Sequence, residues 1–409
     1  MFRLFRARVV DSARQGGDPI KLVATLAIIF AGLAGRSAVD KVLTLRGGPE
    51  LVAFWAQLGS IVDIVAGVAL AGVGTGISVL VAQADGLERQ RGILRESLRL
   101  GLAVSAPVMV AVISVALLFP EAARGLPGPL VALAAAVGCA AVAPGMMNGY
   151  WLGQQRRGLM LALAAGAATA QLAAAAAAPQ GQLLAYLTLS VAAPALALVF
   201  AFPRAAPDRD RALRRYVLPG LTIGLLTPLA SVAAREVVAA QMSWHEVGLL
   251  QALWRVSDWV GNVAAGVMAV HFLPRLAAAH GTPRFAPELR RAALVTLLPS
   301  AVALAALAAA QRFVLSLLYD DSFLMSGETV ALFFAGTFVR IASWLPLYAL
   351  YAMRRTRPLV IGEFLSLPLF AVLLAGYPRQ LSLEAAGALW LAAYAGYALF
   401  NLWAVRRAA

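Results

Sequence analysis

Twelve stretches of about twenty mostly apolar residues follow one another along the chain, separated by short segments most of which carry arginine. They run Ile20–Leu43, Leu51–Ala82, Leu98–Phe119, Pro129–Leu152, Leu159–Ala178 and Leu183–Phe202, then Tyr216–Ala240, Val247–Pro274, Ala292–Ala310, Val330–Met353, Leu359–Tyr377 and Leu383–Val405. A helix of that length crosses a hydrocarbon core of ~30 Å. Within lipid a chain of this kind has only the helix available, because each peptide group must find its hydrogen bond inside its own segment. The expected fold class is therefore an all-α polytopic membrane protein of about 12 transmembrane helices. Apolar side chains make up 61% and charged ones 13%, with a mean hydropathy of +0.79, which excludes an ordinary soluble domain.

The charges assign an orientation. If the N-terminus is cytoplasmic, the segments on that side are the tail and every second loop, and they should hold the Lys and Arg excess. They hold 24 of the 34 Lys and Arg, for example Arg89, Arg91, Arg95 and Arg99, then Arg156 and Arg157, then Arg354, Arg355 and Arg357. Both termini are expected inside. The high pI comes from many short loops on one membrane face and not from one basic domain, so no nucleic acid partner is expected. Residues 1–16 read as a basic cytoplasmic tail without a cleavable signal. The single cysteine, Cys139, and three histidines without metal-ligand spacing give neither a disulfide nor a metal site, so no cofactor is expected.

The longest charged linker, 203–215 (PRAAPDRDRALRR), divides the chain into six-span halves, 17–202 and 216–409. An offset of about 195 residues places Asp63 on Asp258 and the pair Asp40–Lys41 on Arg235–Glu236. An offset of about 198 places YWLGQQRR on YALYAMRR. Six spans per repeat insert the same way up, so the repeat axis runs along the membrane normal. Such bundles typically hold a substrate between them. Prolines inside spans, among them Pro107, Pro194, Pro299 and Pro368, and Gly72, Gly74 and Gly76 in the second span, are expected as bending or close-packing points.

The eighth span carries charge. Gln251, Arg255, Asp258 and Asn262 step by four, three and four residues, which places them on one helical face. A charge at bilayer depth costs at least ~3 kcal/mol, so this stripe should meet a wet cavity or a buried partner. Arg255 and Asp258 are also close enough in sequence to neutralise each other. The tenth span repeats the pattern with Thr337, Arg340, Trp344, Tyr348 and Tyr351. Guanidinium and aromatic rings together suit a sugar phosphate, although the rings alone fit an interfacial belt or a packing ridge equally well. Arg36, Lys41 and Arg235, near the outer ends of the first and seventh spans, are candidates to join Arg255 and Arg340, with Gln251, Asn262, Trp344 and Tyr348, in binding an anion. Asp63, Asp258 and Glu363 are either counter-ions to the arginines or sites for a coupling proton or sodium ion, and both roles stay open. No P-loop, Ser/His/Asp set or metal cluster is visible, so the chain is not read as an enzyme.

The segments GVGTGISVLVAQ (Gly72–Gln83), GYWLGQQRRG (Gly149–Gly158), GLLQALWRVSDWVGNVAAGVMAVHFLPRLA (Gly248–Ala277), LLYDDSF (Leu317–Phe323) and GTFVRIASW (Gly336–Trp344), in this order, resemble the lipid-linked oligosaccharide flippases of the O-antigen and enterobacterial common antigen type. These belong to the multidrug/oligosaccharidyl-lipid/polysaccharide exporter superfamily. One departure is Thr337, where compared flippases often have an acid. The resemblance implies alternating-access movement of an undecaprenyl-pyrophosphate oligosaccharide across the bacterial inner membrane for surface polysaccharide assembly. It names a polysaccharide polymerase and a chain-length regulator as candidate partners. Two alternatives remain: an ion-coupled multidrug exporter of the same superfamily, and a membrane glycosyltransferase or polymerase, for which Asp320 and Asp321 would be the candidate residues.

Overall fold

The computed structural model describes residues 19–119, 125–179, 181–198, 213, 217–353 and 355–408. The expected tail, and the expected linker apart from Leu213, lie outside the described residues. The expected spans are helical where described, apart from residues at their ends and breaks at 191–192 in the sixth and 365–366 in the eleventh, and no strand occurs among the described residues.

Helix α1 (Pro19–Ala69) is broken at Gly47–Gly48. Gly48 has φ of 65°, a left-handed conformation that a side chain disfavours, and Pro49 then restarts the helix. The second arm continues through a π-helical turn, Leu70–Gly74, into α2 (Thr75–Gln83). There follow α3 (Leu87–Leu118), α4 (Gly128–Gly153), α5 (Arg157–Ala177) and the short α6 (Leu183–Ser190) and α7 (Ala193–Leu198). Helix α8 (Val217–Gln241) leads to α9 (Trp244–Val267), whose own π turn, Met268–Phe272, runs into α10 (Leu273–Ala279). The chain ends with α11 (Phe285–Ala309), α12 (Gln311–Leu318), α13 (Gly327–Ala352), α14 (Thr356–Phe364), α15 (Leu367–Ala375) and α16 (Leu383–Ala408). Among the described residues, nine helices are long and apolar enough to cross a membrane, the broken first one counted once.

The prolines divide into two groups. Pro107, Pro144, Pro228, Pro299 and Pro346 sit inside continuous helices. Pro194, Pro274 and Pro368 each stand second in a new helix. There the missing N–H is harmless and the fixed φ starts the helix. Thus the sixth and eleventh expected spans are each two short helices. The π turns have different causes: two glycines lie within Leu70–Gly74, whereas Pro274 follows Met268–Phe272. Leu70 and Met268 nonetheless stand 198 residues apart, the spacing of the YWLGQQRR and YALYAMRR pair.

The chain forms two compact units, Ala34–Ala239 and the residues up to Leu33 together with those from Ala240 onward. In the first, α4 lays a line of glycines on α1, its π turn and α2. A Cβ on Gly138, Gly149 or Gly153 would stand 2.8 Å from the carbonyl oxygen of Val62, Gly74 or Ser78 respectively. Side chains that small let helix backbones touch, which is how helices gain packing energy where no water is available to drive them together. In the second unit α13 packs along α16, joined at their starts by Ser326 and Thr329, whose hydroxyls donate to Glu384 at 2.8 and 2.9 Å.

Replacing Gly149 with Val should destabilise the protein by about 1–3 kcal/mol, because the new side chain meets backbone. Thermal unfolding in detergent checks this, with Gly158→Ala as a control at a position with open space around it.

Candidate functional site

Helix α9 begins at an N-cap: the Ser243 hydroxyl accepts from the His245 N–H at 3.1 Å and pairs with the Glu246 carboxylate. From there the polar stripe runs down the helix with rising exposure. Gln251 is buried, Arg255 and Asp258 are half-buried, and Asn262 is exposed, its amide donating to the Asp258 carbonyl at 2.8 Å. The Asp258 carboxylate reaches across to α13, where Arg340 Nη2 donates to Oδ1 at 2.7 Å. The pair is unequal, with the arginine side chain 14% exposed and the aspartate 40%.

Three further groups hold the guanidinium. Its carbon lies 5.5 Å from the centre of the Trp344 ring and 5.7 Å from that of Trp390 on α16, both within cation–π range. Tyr394, also on α16, is the third neighbour of the guanidinium. Gly261, nearly one turn beyond Asp258, makes room for it: a Cβ there would be 2.8 Å from Nη2. Arg340 therefore rests almost on the α9 backbone. One turn further, Tyr348 donates to the Ala265 carbonyl at 3.4 Å and makes a second link between α13 and α9.

The aromatic wall has its own supports. Trp390 is almost fully buried, stacks on Phe333 at 5.0 Å and donates from Nε1 to Thr337 at 3.4 Å. Gly336 lets that indole lie against α13. Thr337 thus fixes a ring of the arginine cage, at the position where the sequence departs from the resembling family. Glu363 on α14 is half-buried and lies near Tyr351, Tyr394 and Tyr397.

Of the residues singled out in the sequence, the structure brings Asp258, Arg340, Trp344 and Tyr348 together, and Glu363 lies on the neighbouring α14. Arg255 and Gln251 lie on the same helix and have interactions of their own. Asn262 also lies on that helix, whereas Arg36, Lys41, Asp63 and Arg235 belong to the unit Ala34–Ala239. There Arg235 is buried, donating to Ser60 at 2.8 Å and Gln57 at 3.4 Å, while Gln57 donates to Glu236 at 2.8 Å. Arg36 and Asp63 are exposed and Lys41 is half-buried, and all three are engaged in interactions. Asp320 caps a turn by accepting from the Ser322 N–H at 2.9 Å, and Tyr319 stacks on Phe323 beneath it, so LLYDDSF is a packed connector. Among the described residues no group of three or more His, Cys, Asp or Glu could hold a metal ion.

Sequence comparison finds no matching family model and no matching curated protein. Solved structures do match. An inward-facing multidrug resistance MATE family transporter of the MOP superfamily superposes with a TM-score of 0.71 at 15% identity, covering 95% of this chain and 98% of its own. The fold is that of MATE transporters. An outward-facing structure of the same description gives 0.66 at 14% identity, with 96% and 97% covered. A MOP superfamily transporter from Pyrococcus furiosus, described as having a reversed binding-pocket polarity that suggests a different function, gives 0.63 at 14%, with 96% and 94% covered. The chain is a multi-pass membrane protein of this architecture.

If Arg340 and Asp258 hold α13 on α9, they should couple. A double-mutant cycle of Asp258→Asn and Arg340→Met, read by thermal unfolding, should give an interaction of about 0.5–3 kcal/mol. Additive effects would mean that the pair carries no energy.

Proposed function

We propose that this chain is a flippase that moves an undecaprenyl-pyrophosphate-linked oligosaccharide across the bacterial inner membrane by alternating access, for surface polysaccharide assembly. The observation that carries the reading is the unequal burial of the ion pair, 14% for Arg340 against 40% for Asp258. A cargo must compete with one of the two partners. An anion takes Arg340 and releases Asp258, which is wet enough to be solvated and can also take a proton. A cation takes Asp258 and strands a guanidinium that cannot lose its proton inside an aromatic cage. The first exchange costs less. A diphosphate matches the fork of donors, and Trp344 offers a face for a sugar ring.

Arg255, on the same face of α9, is the second proposed phosphate ligand. Gln251, Asn262 and Tyr348 are proposed contacts for the sugar head. Arg36, Lys41 and Arg235 are proposed for the outer side of the path. Asp258, Asp63 and Glu363 are proposed as the groups that exchange a proton or sodium ion during the cycle, with the polymerase and chain-length regulator as partners acting on the product. The multidrug exporter is the second reading, favoured by the descriptions of the matching structures. The description of the Pyrococcus protein links pocket polarity to function within this fold, and it is by polarity that the two readings separate.

The test is deletion of the gene in its host, with lipid-linked glycans followed by mass spectrometry. One undecaprenyl-diphosphate glycan should accumulate, be cleared by the wild-type protein and persist with Arg340→Ala or Arg255→Ala proteins that insert normally. No accumulation, with new sensitivity to cationic drugs, would establish the exporter instead.

A further inference from the structure

Beside the ion pair, α9 forms one wall of an apolar groove of about 730 Å³, whose other walls are α11, α12 and Phe30 of α1. The volume is that of a small-molecule site, roughly 300–1,000 Å³. Its lining is almost free of polar groups. The two hydroxyls that reach it are already used, Thr296 donating to the Met268 sulfur at 3.4 Å and Ser300 to the Thr296 carbonyl at 2.7 Å. The exception is Trp259. Its indole N–H is shielded from water and has no acceptor. A buried donor without a partner is costly enough that proteins seldom leave one, so its presence points to an acceptor brought by a ligand. The outer face of α11 beside the groove exposes Leu294, Leu298 and Val302, each more than 60% accessible, which in a membrane-spanning helix means contact with hydrocarbon.

We infer that this groove holds the hydrocarbon chain of the carried lipid, with the Trp259 N–H donating to the first oxygen after the chain. The inference rests on the flippase reading and adds to it the place where the tail travels. Two observations favour the polyprenyl chain over a phospholipid acyl chain. Trp259 is the sequence neighbour of Asp258, so a lipid whose chain–head junction sits at Trp259 carries its phosphates toward the partner of that acid, Arg340. Small side chains such as Ala264, Ala303 and Ala306 also line the groove and leave hollows that the methyl branches of an isoprenoid fill and an unbranched chain does not.

The test uses the full-length protein in vesicles of phosphatidylethanolamine and phosphatidylglycerol, with a polyprenyl diphosphate bearing a diazirine at its chain end as the probe. A matching diazirine phospholipid forms the second arm. The polyprenyl probe should label α9 and α11 peptides around Val263 and Ala303, and unlabelled polyprenyl diphosphate should compete. Trp259→Phe, which keeps the ring and loses the donor, should weaken labelling about three- to tenfold. Ala306→Trp, which fills the groove, should abolish it. Equal labelling by the phospholipid, or none by the polyprenyl probe, would overturn the assignment. Transport of the lipid-linked oligosaccharide is measured in the same vesicles, so that the two readings fail separately. Transport without groove labelling removes the groove alone, and groove labelling without transport removes the flippase reading and leaves the groove as a polyprenyl site without a carried lipid.

Discussion

A guanidinium cannot shed its charge, and among apolar helices it must be given partners or it will not stay. The position of Arg340 follows from that requirement. Its charge is met by one carboxylate and two indoles lie within cation–π range of it, and these groups come from α9, α13 and α16. The three helices therefore cannot slide freely: a shift of one turn would take Asp258 or Trp390 away from the cation. Small residues make the close fit possible, Gly261 under the guanidinium and Gly336 under Trp390. Burying a pair like this seldom adds stability over a hydrophobic replacement, so its worth lies in fixing register and in offering a charge to something else.

The same economy governs the backbone. Within lipid a break in a helix leaves carbonyl groups without donors, so breaks are placed where proline or glycine already disturbs the ladder. The two π turns show how loosely sequence constrains such a feature. Glycines accompany one and a following proline the other, yet they fall at corresponding positions of the repeat. A π turn adds one residue to the helix and so rotates the face beyond it. In α9 this separates the orientation of the Gln251–Asn262 stripe from that of the Leu273–Ala279 segment, so the charged face and the basic end of the helix are aimed independently.

Much of the fold could be read from the sequence because its strongest signal, about twenty apolar residues between basic loops, is also what the bilayer requires. The stripes on the eighth and tenth spans were legible for a similar reason, since periodicity reports which residues share a face. It does not report which faces meet. Asp258 had two candidate arginines in the sequence, and only packing joins it to Arg340 across helices. Trp390, Tyr394, Tyr397 and Asn401 step by four, three and four, as the eighth-span stripe does, but without a charge among them they look like any aromatic ridge. Thr337 and Gly261 carry no signal in isolation, because their importance is the size of what lies against them. Arg235 shows the converse: a conspicuous charge in the sequence, it is buried against Ser60 and Gln57.

The pair also bears on how transport would be coupled. Under the flippase reading, a diphosphate that takes Arg340 brings more than one negative charge and displaces the Asp258 carboxylate. The site then holds excess negative charge in a medium that screens poorly, and the cheapest relief is for a carboxylate to take up a proton or a small cation. Release of the lipid lets Asp258 return to the guanidinium and expels the proton or ion. Cargo and coupling ion would then compete through a single arginine, which needs no separate gate and explains why a cation held among aromatic rings is matched with an acid exposed enough to leave it.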